Sequence, residues 1–161
     1  MSDGEVRWLN EGEQVSWRAF LRASRELDVA FDRDLQAEGI SLSEYELLSM
    51  LSESPMGQLR MSTLAALIVQ SRSRVTHTAA RLERRGWVVR TPAPDDGRGV
   101  LLRLTDDGQG AIERLAVVHV ASVRRHLVDV LTPEQFAALG EAMQAVRDAY
   151  AADPTMPEAE C

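Results

Sequence analysis

The stretch RTPAPDDGRGVLLRL, residues 90–104, constrains the fold more than any other part of the chain. It closes an arginine-rich helical run with two prolines, two aspartates and two glycines, and then passes into β-prone apolar residues. The runs WVVR and VLLRL flank the loop TPAPDDGRG, whose prolines and glycines favour turns over strand continuation, so a short hairpin is predicted. Almost everything else reads as helix. The expectation is a mainly α protein with one projecting β-hairpin, and Arg98 stands near its tip between Gly97 and Gly99.

Residues 13–37 place Trp17, Phe20, Leu21, Leu27, Phe31 and Leu35 on one helical stripe, with Arg18, Arg22, Arg25, Asp28 and Asp32 largely off it. Gly39 stops that helix. SLSEYELLSML opens the next, with Ser43 and Glu46 spaced as a capping box and Tyr45, Leu48 and Leu51 at helical intervals. SESPMGQ reads as a loop, MSTLAALI as a short helix, VQS as a turn, and RSRVTHTAARLERRG as a helix that Gly86 ends. After the hairpin, Thr105 starts a long helix to about Leu131. Thr132, Pro133 and Gln135 mark a new N-terminus, and Phe136, Leu139, Met143, Val146 and Tyr150 form a heptad-like seam. The tail beyond Asp153 is expected to be disordered.

Charge is segregated along the chain. All 18 basic residues are arginine, and nine of them fall between positions 60 and 103 against three acids, a balance of +6. The remainder carries nine arginines against 22 acids, −13, so the overall acidity hides a basic centre suited to phosphates. No apolar run approaches the ~18 residues of a membrane span, and MSDGEVRWLNEGE is too acidic and polar for a secretory signal, so the expected location is the cytoplasm. The single cysteine, Cys161, allows no intrachain disulfide.

A helix that reads the major groove needs an apolar side as anchor and an opposite side of short polar and long cationic groups. At about 100° per residue, Val75, Ala79 and Leu82 share one side of RSRVTHTAARLERRG. Ser73, His77, Ala80 and Arg84 fall opposite, flanked by Arg74, Thr76 and Arg81, with Arg72 at the helix start. The hairpin that follows would extend sideways and put Arg98 into the neighbouring minor groove, where its potential attracts a cation, with Asp96 bracing the guanidinium. Taken singly, the helix also fits a solvated arginine-rich face, and the hairpin also fits a plain turn with a surface ion pair.

Together these residues resemble the MarR family of winged helix-turn-helix transcriptional regulators over roughly residues 13–150. The pattern consists of Ser73, Val75 and Thr76; Leu82, Glu83 and Gly86; Asp96 and Arg98; and Leu104, Thr105 and Gly108. LSEYELLSMLSES and MSTLAALI are similar to the family's second and third helices. Two positions depart from it: His77 stands where arginine or another polar residue is frequent, and Gly97 where a second wing arginine often stands.

The resemblance implies a winged helix-turn-helix lobe plus a helical dimerisation region. The expected organisation is an arm and dimerisation helix at 1–38, the DNA-binding lobe at 39–104, dimerisation helices at 105–152 and a tail at 153–161. It implies a homodimer on double-stranded DNA with an inverted-repeat operator, repression as the commoner mode, and release by a small aromatic or anionic effector. For that effector Trp17, Tyr45 and His119 are candidates, with Arg18 or Arg22 as counter-charge; Trp17 and Tyr45 also fit a core role, and His119 a packing role. No cofactor or metal is expected, since His119 and His126 are seven apart, about 10 Å along a helix. The paired aspartates at 95–96 and 106–107 have no partner nucleophile, and the second pair suits a helix N-terminus, so catalysis is not expected. A protein-interaction module with a basic centre remains the alternative to a DNA-binding regulator.

Overall fold

A computed structural model describes residues 6–68, 70–93 and 96–153, with the side chains of residues 96–98 outside that description. The elements are α1 (Glu11–Gln36), α2 (Leu42–Glu53), β1 (Gln58–Arg60), α3 (Met61–Leu67) and α4 (Arg72–Arg84). They are followed by β2 (Val88–Ala93), β3 (Asp96–Leu104), α5 (Asp106–His126) and α6 (Pro133–Ala152). The architecture is mainly α, with a helix-turn-helix of α3 and α4 and a hairpin wing of β2 and β3.

Every helix but α3 starts where a side chain accepts from a backbone N–H that would otherwise lack a partner. Asn10 accepts from the Glu13 backbone N–H while the Glu13 carboxylate accepts from the Asn10 N–H, so α1 begins two residues before the apolar stripe suggests. The capping box of α2 is Ser41 with Glu44, not Ser43 with Glu46. Both pairs have the right spacing. Ser41 is the residue with extended backbone, and Asp32 of α1 accepts from the Leu42 N–H at 2.8 Å, which fixes the helix start there.

The long helix expected from Thr105 to about Leu131 ends at His126. Thr132, ahead of Pro133, must be extended, so the chain turns before it, through a single 3-10 turn at Val128–Val130. Arg124 and Asp129, 2.6 Å apart, close that turn. The loop expected at SESPMGQ gives its last residue to β1, which pairs antiparallel with β3 at Leu59↔Leu102. The sheet order is β1-β3-β2, with Val88↔Leu104 and Arg90↔Leu102 in the wing register.

One core joins α1, α2, α3, α4, the sheet base and α5: Leu35, Leu47, Leu48, Leu51, Leu64, Val75, Leu82 and Leu102 are each fully buried. The junction between wing and α5 is tight. Thr105 caps α5 by accepting from the Gly108 N–H, and its hydroxyl donates to the Gly86 carbonyl at 2.7 Å. A Cβ on Gly108 would overlap the Trp87 carbonyl oxygen, so only glycine lets α5 start against the residue that leads into β2. By contrast α6 buries none of its residues. No helix among the described residues is long and apolar enough to cross a membrane.

Candidate nucleic-acid interface

Helix α4 begins at Ser71, whose hydroxyl accepts from the Arg74 N–H. Val75, Thr78, Ala79 and Leu82 are buried, one residue more than the apolar stripe indicates. Arg72, Ser73, Arg74, Thr76, His77, Arg81 and Arg84 are exposed and Ala80 is half-buried. The structure therefore gathers the expected helix residues on an outward face. Thr76 already uses its hydroxyl as a donor to the Arg72 carbonyl at 2.8 Å. The proposed bracing of Arg98 by Asp96 lies outside the described side chains.

Several arginines of the basic centre already have partners within the protein. Arg81 Nε lies 3.4 Å from Glu44 Oε1, a carboxylate whose side chain is only 6% exposed. Arg90 Nη2 donates to the Thr76 carbonyl at 3.1 Å, and Glu83 accepts from the Arg90 backbone N–H. Arg85 lies 5.0 Å above the Trp87 ring and donates to the Gly39 carbonyl. These contacts weld α4 to α2, to the wing and to the end of α1. Glu44 escapes a local reading, since its partner is 37 positions away and Glu44 occupies a cap that explains it without a distant role.

The residues expected to meet an effector separate into two groups. Tyr45 and His119 come together with ring centroids 4.4 Å apart, and Phe31 packs edge-on to His119 at 5.6 Å. Burial pushes the His119 imidazole below its ordinary value, and its Nδ1 is buried without a hydrogen-bond partner among the described residues. Burial, assisted by the Glu53 charge, raises the Tyr45 phenol. Trp17 is half-exposed beside Phe20, Arg18 donates to Gln14, and Arg22 is exposed. Trp17 and Phe31 are fourteen residues apart, roughly 21 Å along the helix, so these three residues do not reach the Tyr45–His119 pair within one protomer.

An open groove of about 1070 Å³ runs between α1, α2 and α4, and no local pattern in the sequence marks it. Asp28, Asp32 and Glu46 line one side and Ser73, Arg74 and His77 the other. Burial, with Asp28 adding repulsion and Arg74 opposing, raises the Glu46 carboxyl above its ordinary value. The acids are spread over α1 and α2, so only the fold assembles them.

A family model described as the MarR family matches residues 38–99. A MarR family transcriptional regulator from Streptomyces coelicolor, solved in complex with DNA, is 41% identical, with a TM-score of 0.88 over 96% of this chain and 98% of that one. AbsC, a MarR family regulator from the same organism, is 38% identical, with a TM-score of 0.85 over 92% and 100% of the two chains. The transcriptional regulator PecS of Dickeya dadantii is 30% identical over 83% of this chain and 82% of its own. These relatives are regulators rather than enzymes. An exposed cationic helix face set against a wing, on a chain with these relatives, places the protein in the MarR family of DNA-binding transcriptional regulators.

Proposed function

We propose that the protein binds double-stranded DNA as a homodimer at an inverted-repeat operator, and that it represses the genes beside that site. The carrying observation is α4. It buries Val75, Thr78, Ala79 and Leu82 and turns Arg72, Ser73, Arg74 and His77 outward, immediately before a two-stranded wing. In this reading Arg74 and His77 contact base edges, Arg72 and Arg84 contact phosphate, and Arg98 enters the minor groove.

The dimer is supported by apolar surface that one protomer leaves uncovered. Phe136, Val146 and Tyr150 of α6 and Trp17 and Phe20 of α1 are all exposed. Residues 1–38 and 105–152 would bury these faces against a second copy, while residues 39–104 form the DNA-binding lobe. A twofold axis sets the two α4 helices ~34 Å apart, one turn of DNA. Repression is the commoner mode in the family, and the cytoplasm is where the DNA is.

A small aromatic or anionic effector completes the reading. Tyr45 and His119 would stack on it, and the orphaned His119 Nδ1 would gain a partner. Trp17, Arg18 and Arg22 would have to join from the second protomer. An effector that releases DNA equally well from Trp17→Ala and His119→Ala proteins would sink this assignment.

The test of the central reading is selection of genomic fragments by the purified protein beside its Arg98→Ala variant. An enriched inverted repeat that the variant binds poorly, with a log-log salt slope lower by about one per wing, is the expected outcome. Salt-insensitive binding, or no enrichment, would favour a protein partner for the basic centre.

A further inference from the structure

We propose that Glu44 is a positioning residue for DNA recognition, setting the roll of α4 through Arg81 without reaching the nucleic acid. The inference rests on the DNA-binding reading above. The Glu44 carboxylate divides its two oxygens between two tasks. Oε2 accepts from the Ser41 N–H at 2.9 Å and the Ser41 hydroxyl at 2.8 Å, while Oε1 faces Arg81 Nε at 3.4 Å. These partners offset the hydration that a side chain only 6% exposed has given up.

The base of this arm is rigid. Asp32 of α1 accepts from the Leu42 N–H at 2.8 Å, so the start of α2 is held by α1 as well as by its own cap. On its other flank α4 is held by Arg90, which donates to the Thr76 carbonyl. Helix α4 is thus gripped from two sides over an apolar seam of Val75, Ala79 and Leu82, and the polar grips add a directional restraint that hydrophobic burial itself lacks.

Arg81 lies one turn beyond His77 and two turns beyond Ser73, so a roll it permits moves the whole outward face. A roll of about 10° displaces a group at ~5 Å from the axis by about 1 Å. Base-edge hydrogen bonds are lost over that distance. The outward face of α4 is therefore legible in the local sequence, while its aim is set by a residue 37 positions earlier.

Glu44→Gln isolates the charge, since glutamine at this cap position still serves a capping box. Removing a carboxylate near a DNA-binding face should tighten binding if only long-range electrostatics act, so the two accounts predict opposite signs. Positioning predicts that Glu44→Gln weakens binding to the selected inverted-repeat duplex about tenfold, as expected for losing a charge-assisted contact. Arg81→Gln, at a half-exposed position, should weaken it similarly with an unchanged salt slope, and the double variant should be no weaker than the poorer single one.

Tighter or unchanged binding by Glu44→Gln overturns the proposal. So does a salt slope lowered by about one per protomer in Arg81→Gln, which would make Arg81 a phosphate contact. The Arg81 Nε–H resonance, assigned by its loss in Arg81→Gln, supplies a readout without DNA: it should shift in Glu44→Gln. If the wild type bound no duplex while that resonance still shifted, the DNA-binding reading would have failed although the pairing was sound; no shift would mean the pair itself does not form.

Discussion

At the scale of single residues, Asp34 shows how α1 is fastened to α5. Its carboxylate accepts from the Ser122 hydroxyl at 2.6 Å and from Arg125, and His126 Nε2 lies 3.3 Å away. The Ser122 hydroxyl, with Arg125 and His126, outweighs burial and holds the Asp34 carboxyl at about 2, below its ordinary 3.8. A depressed acid contributes stability that is complete above its unfolded value and lost as pH falls through its folded one. Denaturant unfolding should therefore show wild type losing stability between about pH 4 and 2 more steeply than Asp34→Asn. Parallel curves would mean the carboxylate is not paired in solution. His119 has the same sign with a different window: its lowered value costs stability as pH falls below the ordinary 6.5, and His119→Phe should flatten that limb. What the sequence shows at this scale is outward or inward placement. Ser73, Arg74 and His77 follow from helical periodicity, whereas Asp34 with Ser122, 88 positions away, leaves no local trace.

At the scale of elements, glycine and cap positions decide where helices begin and end. Gly86, at φ 74°, ends α4 in the left-handed region that β-carbons disfavour, as its place after LERR suggests. Gly108 is different, because it lies inside the first turn of α5 and its need is a close approach rather than a turn. Gly108→Ala should cost about 1–3 kcal/mol, read as a lowered Tm with far-UV signal retained, since the clash is with backbone that cannot swing aside. An unshifted Tm would show that α5 can start further from Trp87. The order of elements and the presence of a wing were legible because each has a period or a punctuating residue. The loop expected at TPAPDDGRG, however, is mostly strand: β2 runs on to Ala93 and β3 begins at Asp96, because backbone pairing across the hairpin overrides the turn preference of Pro92, Gly97 and Gly99. The Ser41 cap, β1 and the early end of α5 were not: two caps fit one segment, three residues are too few to alternate, and a turn before Pro133 can be placed at several positions.

At the scale of the whole molecule, the protomer cannot be the complete functional unit in the proposed reading. Helix α6 repeats apolar residues at heptad-like spacing yet fully buries none of them: Phe136, Val146 and Tyr150 are exposed, and Leu139 and Met143, at the centre of that seam, are half-buried. Exposed helices of this kind are stable when their stripe meets another. Replacing both Leu139 and Met143 with glutamate places like charges across a twofold axis and should cost roughly 2 kcal/mol or more per site, enough to shift a dimer to monomer at micromolar concentration in sedimentation velocity. Operator affinity should then fall by about 10²–10⁴, because two linked half-sites become independent ones. Single-half-site binding should survive with its salt dependence reduced, since α4 and the wing belong to each protomer alone. If the double variant remains dimeric, the copies meet through α1 and the exposed Trp17 and Phe20 instead, and charged substitutions there should produce the monomer that the α6 variant did not.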